Sequence, residues 1–251
     1  MAANHLVIND DKLHLVVFAN KANSLEKENV SIKTGALTIK PSDHEKLLGC
    51  HISQSLKWNE HLIDNKESHI NQLNRRLNGL SLVCKRANFK TRLMVANGIF
   101  SSKLVNLIQI WGGAQDYLLR ALQVTQNKAA RLVSGMGWYT PTSTLLRRVN
   151  WLSVKQLIAY HTILTVHRSI IHQRPQFIYE KICSNSSQYD TRHQTRFNEN
   201  FSGKSERTRS TFCYRGVLSY QQIPLEISKI RSLQGFKLKL KRWIKVNVEV
   251  A

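Results

Sequence analysis

Few residue combinations in this chain suit bond-making chemistry. Asp10 and Asp11 are adjacent carboxylates, the residue type that holds divalent metal ions across attacking and leaving oxygens. They run directly into Lys12, and the stretch reads as a loop or turn. Cys50, Cys84, Cys183 and Cys213 form no CxxC pair. That argues against a zinc ribbon or knuckle and for reduced thiols in an intracellular protein, nuclear or cytoplasmic. His161, His167 and His172 lack the i, i+4 spacing of an HExxH helix. No P-loop or nucleophile elbow is present. The chain therefore offers no catalytic and no metal-binding residues of its own.

Binding chemistry is better represented. Lys and Arg number 37 against 16 Asp and Glu, a formal charge of +21. Such an excess attracts polyanions. It is concentrated between Lys66 and Arg148, where 13 Lys and Arg face only Glu67 and Asp116. Nucleic acid, as RNA, RNA–DNA hybrid or DNA duplex, is the expected partner, held through phosphates in a sequence-independent and salt-sensitive way. Arg75, Arg76, Lys85, Arg86, Lys90, Arg92, Lys128 and Arg131 are the candidate contacts. No run approaches ~18 consecutive apolar residues, and no basic-then-apolar leader opens the chain. No membrane is expected among the partners.

The elements that must position these cations are mostly helical. Residues 12–18 end in the apolar run LHLVVF and read as a buried strand. Val30, Ile32, Leu37 and Ile39 alternate around Thr34-Gly35, the pattern of a hairpin. Leu47 to Ile52 reads as a short strand interrupted by Gly49, which marks a bulge or a close backbone approach. Ser53 to Lys57 turn the chain, and a helix from Trp58 to about Ala87 follows, with Asn59 as its cap. Within it Ile63, Ile70, Leu77 and Cys84 recur every seven residues, with Leu73, Leu80 and Ala87 between, a stripe suited to helix packing. Further helices are expected from Thr91 to about Ile108, from Asp116 to Ser134 with Gly135 just beyond, and from Val154 to Ile171. A polar, Ser/Asn/Arg-rich linker precedes the last helix, Ser232 to about Val246, which is basic and amphipathic. Read alone, that helix also fits a membrane surface or a calmodulin-type partner.

The expected fold is thus α+β and mostly α. A small antiparallel β unit occupies residues 1–57, a helical bundle 58–183, a polar linker 184–211 and a C-terminal helical extension 212–251.

Several stretches together resemble reverse transcriptases of non-LTR (LINE-type) retrotransposons. The junction Leu48-Gly49 followed by Leu56-x-Trp58-x-x-His61 is similar to their primer grip and thumb entry. Residues 3–12 resemble the segment after the catalytic strand, with Lys12-Leu13 in place of Lys-Thr. Gln126-Asn127-Lys128-Ala129-Ala130-Arg131-Leu132-Val133-Ser134-Gly135 resembles the family's Q-N-[KR]-A-x-R-x-[IV]-x-G helix, the most specific match. Ile110-Trp111-Gly112 is similar to a Y-G-x-x-x-W-G turn that here lacks its tyrosine. Arg215-Gly216, Ile223-Pro224 and Ser232-Leu233-x-x-Phe236-Lys237-x-x-Leu240-Lys241 resemble the C-terminal ending, with Ser219-Tyr220 where Trp-Asn would stand.

This resemblance implies a palm remnant with the primer-grip strand over residues 1–57 and a thumb-like domain over 58–183. Lys12 would lie near the incoming nucleotide, and Leu48, Gly49 and Cys50 would support the primer end. The family's catalytic aspartates, carried on an aromatic-x-Asp-Asp turn with another Asp upstream, have no counterpart here. The resemblance therefore implies a fragment of an RNA-directed DNA polymerase that retains template–primer holding elements and does no chemistry alone. Mg²⁺ is expected only for a full-length member, and the missing palm and fingers portion is an implied partner. An independent basic helical RNA- or DNA-binding module, or a helical protein-interaction module, is the alternative that the residues leave open.

Overall fold

A computed structural model describes residues 12–18, 30–34, 37–183, 197 and 205–249. It divides into two compact units, residues 1–71 and 72–251.

The first unit holds two separate antiparallel hairpins. In one, β1 (Ile32–Thr34) pairs with β2 (Leu37–Ile39), with Ile32 opposite Ile39. This is the pairing that the alternation around Gly35 predicts, although Gly35 itself lies outside the described residues. In the other, β3 (His44–Leu47) pairs with β4 (Cys50–Ser53), Leu47 opposite Cys50. Leu48 and Gly49 form the two-residue turn, with φ of 49° and 84°. The stretch read as one strand with a bulge is therefore the tip of a hairpin. Two consecutive left-handed residues suit the right-handed twist of the flanking strands, and glycine meets that demand at low cost. Residues 12–18 do not form the expected buried strand. Leu15 makes a single parallel bridge to Pro41, Ser42 N–H donates to the Leu15 carbonyl at 2.8 Å, and Phe18 is half exposed. An apolar run without a neighbouring ladder has nothing to fix it as a strand. Asp10, Asp11 and the rest of residues 3–11 lie outside the described residues.

The helix expected from Trp58 is interrupted. A π-helical turn, Glu60–Asp64, ends at Asn65, whose extended backbone (ψ 146°) breaks the hydrogen-bond ladder. Asn59 is itself helical and makes no side-chain cap bond. A new helix, α1 (His69–Cys84), then begins. The heptad stripe survives from there: Leu73, Leu77, Leu80 and Cys84 are buried, whereas Ile63 and Ile70 are partly exposed.

In the second unit α2 (Phe89–Ala96) starts two residues before Thr91, because the Asn88 side chain accepts the Thr91 N–H at 3.0 Å. It does not run on as one α-helix. A π segment, Asn97–Ser101, contains the weak helix former Gly98, and only then come α3 (Ser102–Leu104) and α4 (Ile108–Trp111). Trp111 is fully buried and donates its indole N–H to the Asn106 carbonyl at 2.7 Å. The next helix, α5 (Asp116–Ser134), ends on Gly135 at φ 70°, as its sequence predicts, but is capped by Gln115 rather than Asp116. Then come α6 (Thr142–Val149), α7 (Val154–His172) and α8 (Gln176–Ile182). At the start of α7, Ser153 and Gln156 form a reciprocal capping box.

Most of the expected polar linker lies outside the described residues, but its end forms a short helix, α9 (Glu206–Ser210). It is followed by α10 (Phe212–Gln221), α11 (Leu225–Ser228) and α12 (Leu233–Asn247). Ser232 caps α12 by accepting the Gly235 N–H at 3.5 Å. A core of Ile163, Val166, Val217, Tyr220, Phe236, Leu240 and Ile244 joins α7, α10 and α12. The apolar stripe of the last helix is consumed by this core, so it is not a free amphipathic surface for a membrane or a calmodulin-type partner. Among the described residues no helix is long and apolar enough to cross a membrane. The fold is α+β and mostly α, as the sequence predicts.

Candidate nucleic-acid interface

The C-terminal half of α5 illustrates how the second unit sorts its polar residues. Gln123 donates to the Asn127 side chain at 2.8 Å and accepts the Val154 N–H at 2.8 Å. Asn127 in turn donates to the Thr142 hydroxyl at 2.8 Å, and Gln126, almost fully buried, donates to the Leu152 carbonyl at 2.8 Å. These amides tie α5 to the start of α6 and to the residues that lead into α7. These bonds fix geometry, since leaving their partners unpaired would cost ~1–3 kcal/mol each; Gln126 Oε1 is buried without a partner among the described residues. Lys128 and Arg131, one turn apart, line a groove with α1, Arg131 on the same side of α5 as Asn127 and Lys128 turned away from Gln126. The Gln-Asn-Lys motif therefore divides its labour: the amides position the helix, Lys128 is exposed to solvent, and Arg131 is partly buried at the groove.

The groove has a volume of about 740 Å³. On α1 its wall is Asn74, Asn78 and Ser81, spaced along one side of the helix, with Lys85 just beyond the C-terminus. Leu77, Leu132 and Met136 supply its apolar floor, and Trp138 stands at its rim. Gly135, in the left-handed conformation, turns the chain so that Met136 and Trp138 lie back along α5. The Arg131 guanidinium lies 4.9 Å from the centre of the Trp138 ring, a cation–π pair. Trp138 remains 68% exposed. Arg131 Nε is buried with no hydrogen-bond partner among the described residues. Arg92 approaches from α2: its Nη1 lies 3.8 Å from where a Cβ on Gly135 would sit, and its Nε donates to the Ala87 carbonyl at 2.7 Å. Cys84 borders the groove, its thiol pushed up by burial and pulled back in part by the Arg92 charge. Among the described lining residues there is no carboxylate, so three cations face the groove unopposed.

Not every predicted contact joins them. Arg75 and Arg86 are exposed but off the groove, and Lys90 is exposed on α2. Arg76 is held on another face of α1, where its guanidinium donates to the Ile99 carbonyl. Charge density alone made these residues look like one patch; the 100° rotation per residue spreads them. In the first unit Lys12 is exposed. Leu48 is 90% exposed at the hairpin tip, and Gly49 is its partner in the turn. Cys50 is buried, with its thiol pushed up by burial.

The Trp-x-x-His junction has a structural use within the first unit. His61 Nδ1 accepts the His51 N–H at 3.4 Å, and Trp58 packs edge-on against His61. His69 packs against His61, with ring centres 5.6 Å apart. Among the described residues no group of three or more His, Cys, Asp or Glu is placed to hold a metal ion.

Arg215, part of the C-terminal resemblance, also proves structural. It donates to the carbonyls of Gln109 and Ser210, both at 3.1 Å, and burial lowers its pKa to about 10. Sequence reasoning missed Trp138, whose signal was an aromatic pair, Trp138-Tyr139, following a Gly-Met-Gly turn next to a cationic helix.

No protein-family model matches the chain, and no solved structure matches it. Over 66 residues it is 38% identical to a protein of Drosophila melanogaster described as "Probable RNA-directed DNA polymerase from transposon X-element". The match covers 24% of this chain and 7% of that protein. In that segment the chain is similar to a transposon-encoded reverse transcriptase.

Proposed function

We propose that the chain is the template–primer-holding part of a retrotransposon RNA-directed DNA polymerase, without the catalytic aspartates. The second unit takes the role of the thumb: it grips a nucleic-acid backbone and performs no bond chemistry by itself. The first unit brings the primer-grip hairpin, with Leu48 and Gly49 at its tip. The observation that carries this reading is the convergence of Lys85, Lys128 and Arg131 on one carboxylate-free groove. The likeness to a transposon polymerase supports it independently.

The test is equilibrium binding of the full chain to a labelled RNA–DNA hybrid across a salt series. Each phosphate neutralised contributes about 0.9 to the log–log slope, so Lys85, Lys128 and Arg131 together account for a slope of up to roughly 3. Changing Lys85 and Lys128 to Ala should lower that slope by about 2. A folded sample that fails to bind at low salt removes the proposal. Nucleotide incorporation with Mg²⁺ and template–primer would overturn the part that denies the chain its own chemistry. A preference for a folded RNA over any duplex would instead favour an independent RNA-binding module.

A further inference from the structure

The groove is more than a cationic strip, and its extra features do not serve a duplex backbone. Phosphates need cations and N–H donors. They do not need an apolar floor of Leu77, Leu132 and Met136, nor a tryptophan left 68% exposed at the rim. An apolar recess with an exposed aromatic ring at its rim and a few polar groups is the make-up of a ligand-binding groove. What fits has to be flat, apolar on its faces, polar on its edge and attached to negative charge.

We propose that this groove takes an unpaired nucleobase, stacked on the Arg131–Trp138 pair, with the flanking phosphates on Lys85 and Lys128. This deepens the nucleic-acid reading above and rests on it. Three observations converge. The Arg131 guanidinium and the Trp138 ring lie 4.9 Å apart, which holds the indole at the rim while most of its surface stays open. Aromatic rings and guanidinium planes are the surfaces on which splayed-out bases stack. Arg131 Nε is buried without a hydrogen-bond partner among the described residues, so the guanidinium is held by its contact with the Trp138 ring and not by a protein acceptor at Nε. The lining carries three cations and no acid, complementary to a phosphodiester on either side of the base. The volume, about 740 Å³, falls within the ~300–1,000 Å³ usual for ligand pockets. Gly135 and the turn it permits are the device that brings Trp138 to this position.

Base stacking releases no counterions, whereas phosphate contact does. That difference separates this proposal from the reading it rests on. The experiment titrates the full chain with a labelled oligothymidylate, and with the same strand carrying abasic sites, across a salt series. A matching oligouridylate pair forms the RNA arm. The intact strand should bind more tightly than the abasic one by roughly 5- to 150-fold, the range of base–aromatic stacking. Trp138→Ala should abolish that difference and leave the salt slope unchanged. Trp138→Phe should retain most of it. Lys128→Ala should weaken both strands alike and lower the slope by about 0.7. If Trp138→Ala leaves the intact-to-abasic ratio as it was, the base site is wrong and the phosphate-holding reading stands. If the folded chain binds neither strand nor an RNA–DNA hybrid at low salt, both fall together.

Discussion

His167 gives the core of the second unit a defined response to pH. It is 1% exposed on α7, with its ring parallel to that of Phe236 on α12, the centres 3.5 Å apart. Its Nε2 lies 2.9 Å from the Ile230 carbonyl and its Nδ1 lies 2.9 Å from the Tyr220 hydroxyl. A carbonyl can only accept, so Nε2 carries the proton. Burial keeps the imidazole neutral near pH 7, so Nδ1 is the acceptor for the Tyr220 O–H. Burial pushes the His167 pKa down and the nearby His172 adds to that, while the bond to Ile230 works the other way. Tyr220 stays a donor throughout, since burial and Cys183 raise its pKa to about 12. A base whose folded pKa lies below its unfolded value of 6.5 binds fewer protons when folded. Its contribution is therefore complete above that pH and is lost as pH falls through 6.5 toward the folded value, at up to ~1.4 kcal/mol per pH unit.

His167→Phe keeps a ring against Phe236 but strands the Tyr220 hydroxyl and the Ile230 carbonyl. Each unpaired group costs ~1–3 kcal/mol, so the variant should lose about 2–6 kcal/mol near neutral pH. Adding Tyr220→Phe removes one stranded group and should recover ~1–2 kcal/mol of that. Urea unfolding of the full chain, followed by far-UV circular dichroism, measures these differences. The gap between wild type and His167→Phe should narrow between about pH 7.5 and about pH 5, because only the wild type has this imidazole to protonate. His161, also held low by burial and by Arg168, is present in both proteins and cancels in the comparison. A gap of constant size across that range would refute the neutral buried imidazole. A gap under about 0.5 kcal/mol at the higher pH would refute the two hydrogen bonds.

Three further outcomes are expected. A Cβ on Gly113 would lie 2.1 Å from the Ser210 carbonyl oxygen, so Gly113→Ala should lower the thermal midpoint by several degrees. Gly137→Ala, with nothing within 4 Å, should leave it unchanged. Gln126→Leu should destabilise by ~1–3 kcal/mol through the stranded Leu152 carbonyl, and Lys128→Ala should leave stability within about 0.5 kcal/mol while weakening nucleic-acid binding. Equal effects of the two on stability would contradict the division of labour along α5. Leu48→Gly should protect the amides of Cys50 to Ser53 from exchange by ~0.5–1 kcal/mol, since an exposed leucine at φ 49° is strained and loses no packing on replacement. Faster exchange there would show that Leu48 holds the hairpin by some other means.

Periodicity located the long helices well. The stretches Asp116–Ser134 and Val154–His172 are repetitive enough that burial of one face decides them. Where periodicity was broken by a local choice, the sequence misled. Asn65 cuts the heptad stripe with one extended residue, and nothing in the spacing of Ile63 and Ile70 announces it. Leu48 takes a left-handed conformation that favours glycine or asparagine, so the hairpin at Leu48-Gly49 read as a continuous strand. The cations were legible as a charge total and not as a surface. Which of them share a groove depends on how α1 is placed against α5, and the spacing of the cations along the chain does not carry that placement. Trp138 escaped notice because its position comes from the turn at Gly135.

The core shared by α7, α10 and α12 also has a consequence for vectorial synthesis. When His172 leaves the ribosome, α7 already has its capping box, but its packing partner Ile244 lies 72 residues further on (244 − 172). At ~5–20 residues per second that interval lasts roughly 4–14 s, long against the microseconds in which helices and collapsed cores form. The partners of Ile163, Val166 and His167 arrive in stages, Val217 and Tyr220 first, then Phe236, and Leu240 and Ile244 last. The nascent chain thus presents a partly covered helix to chaperones, and to neighbouring chains on the same message, until α12 completes the core.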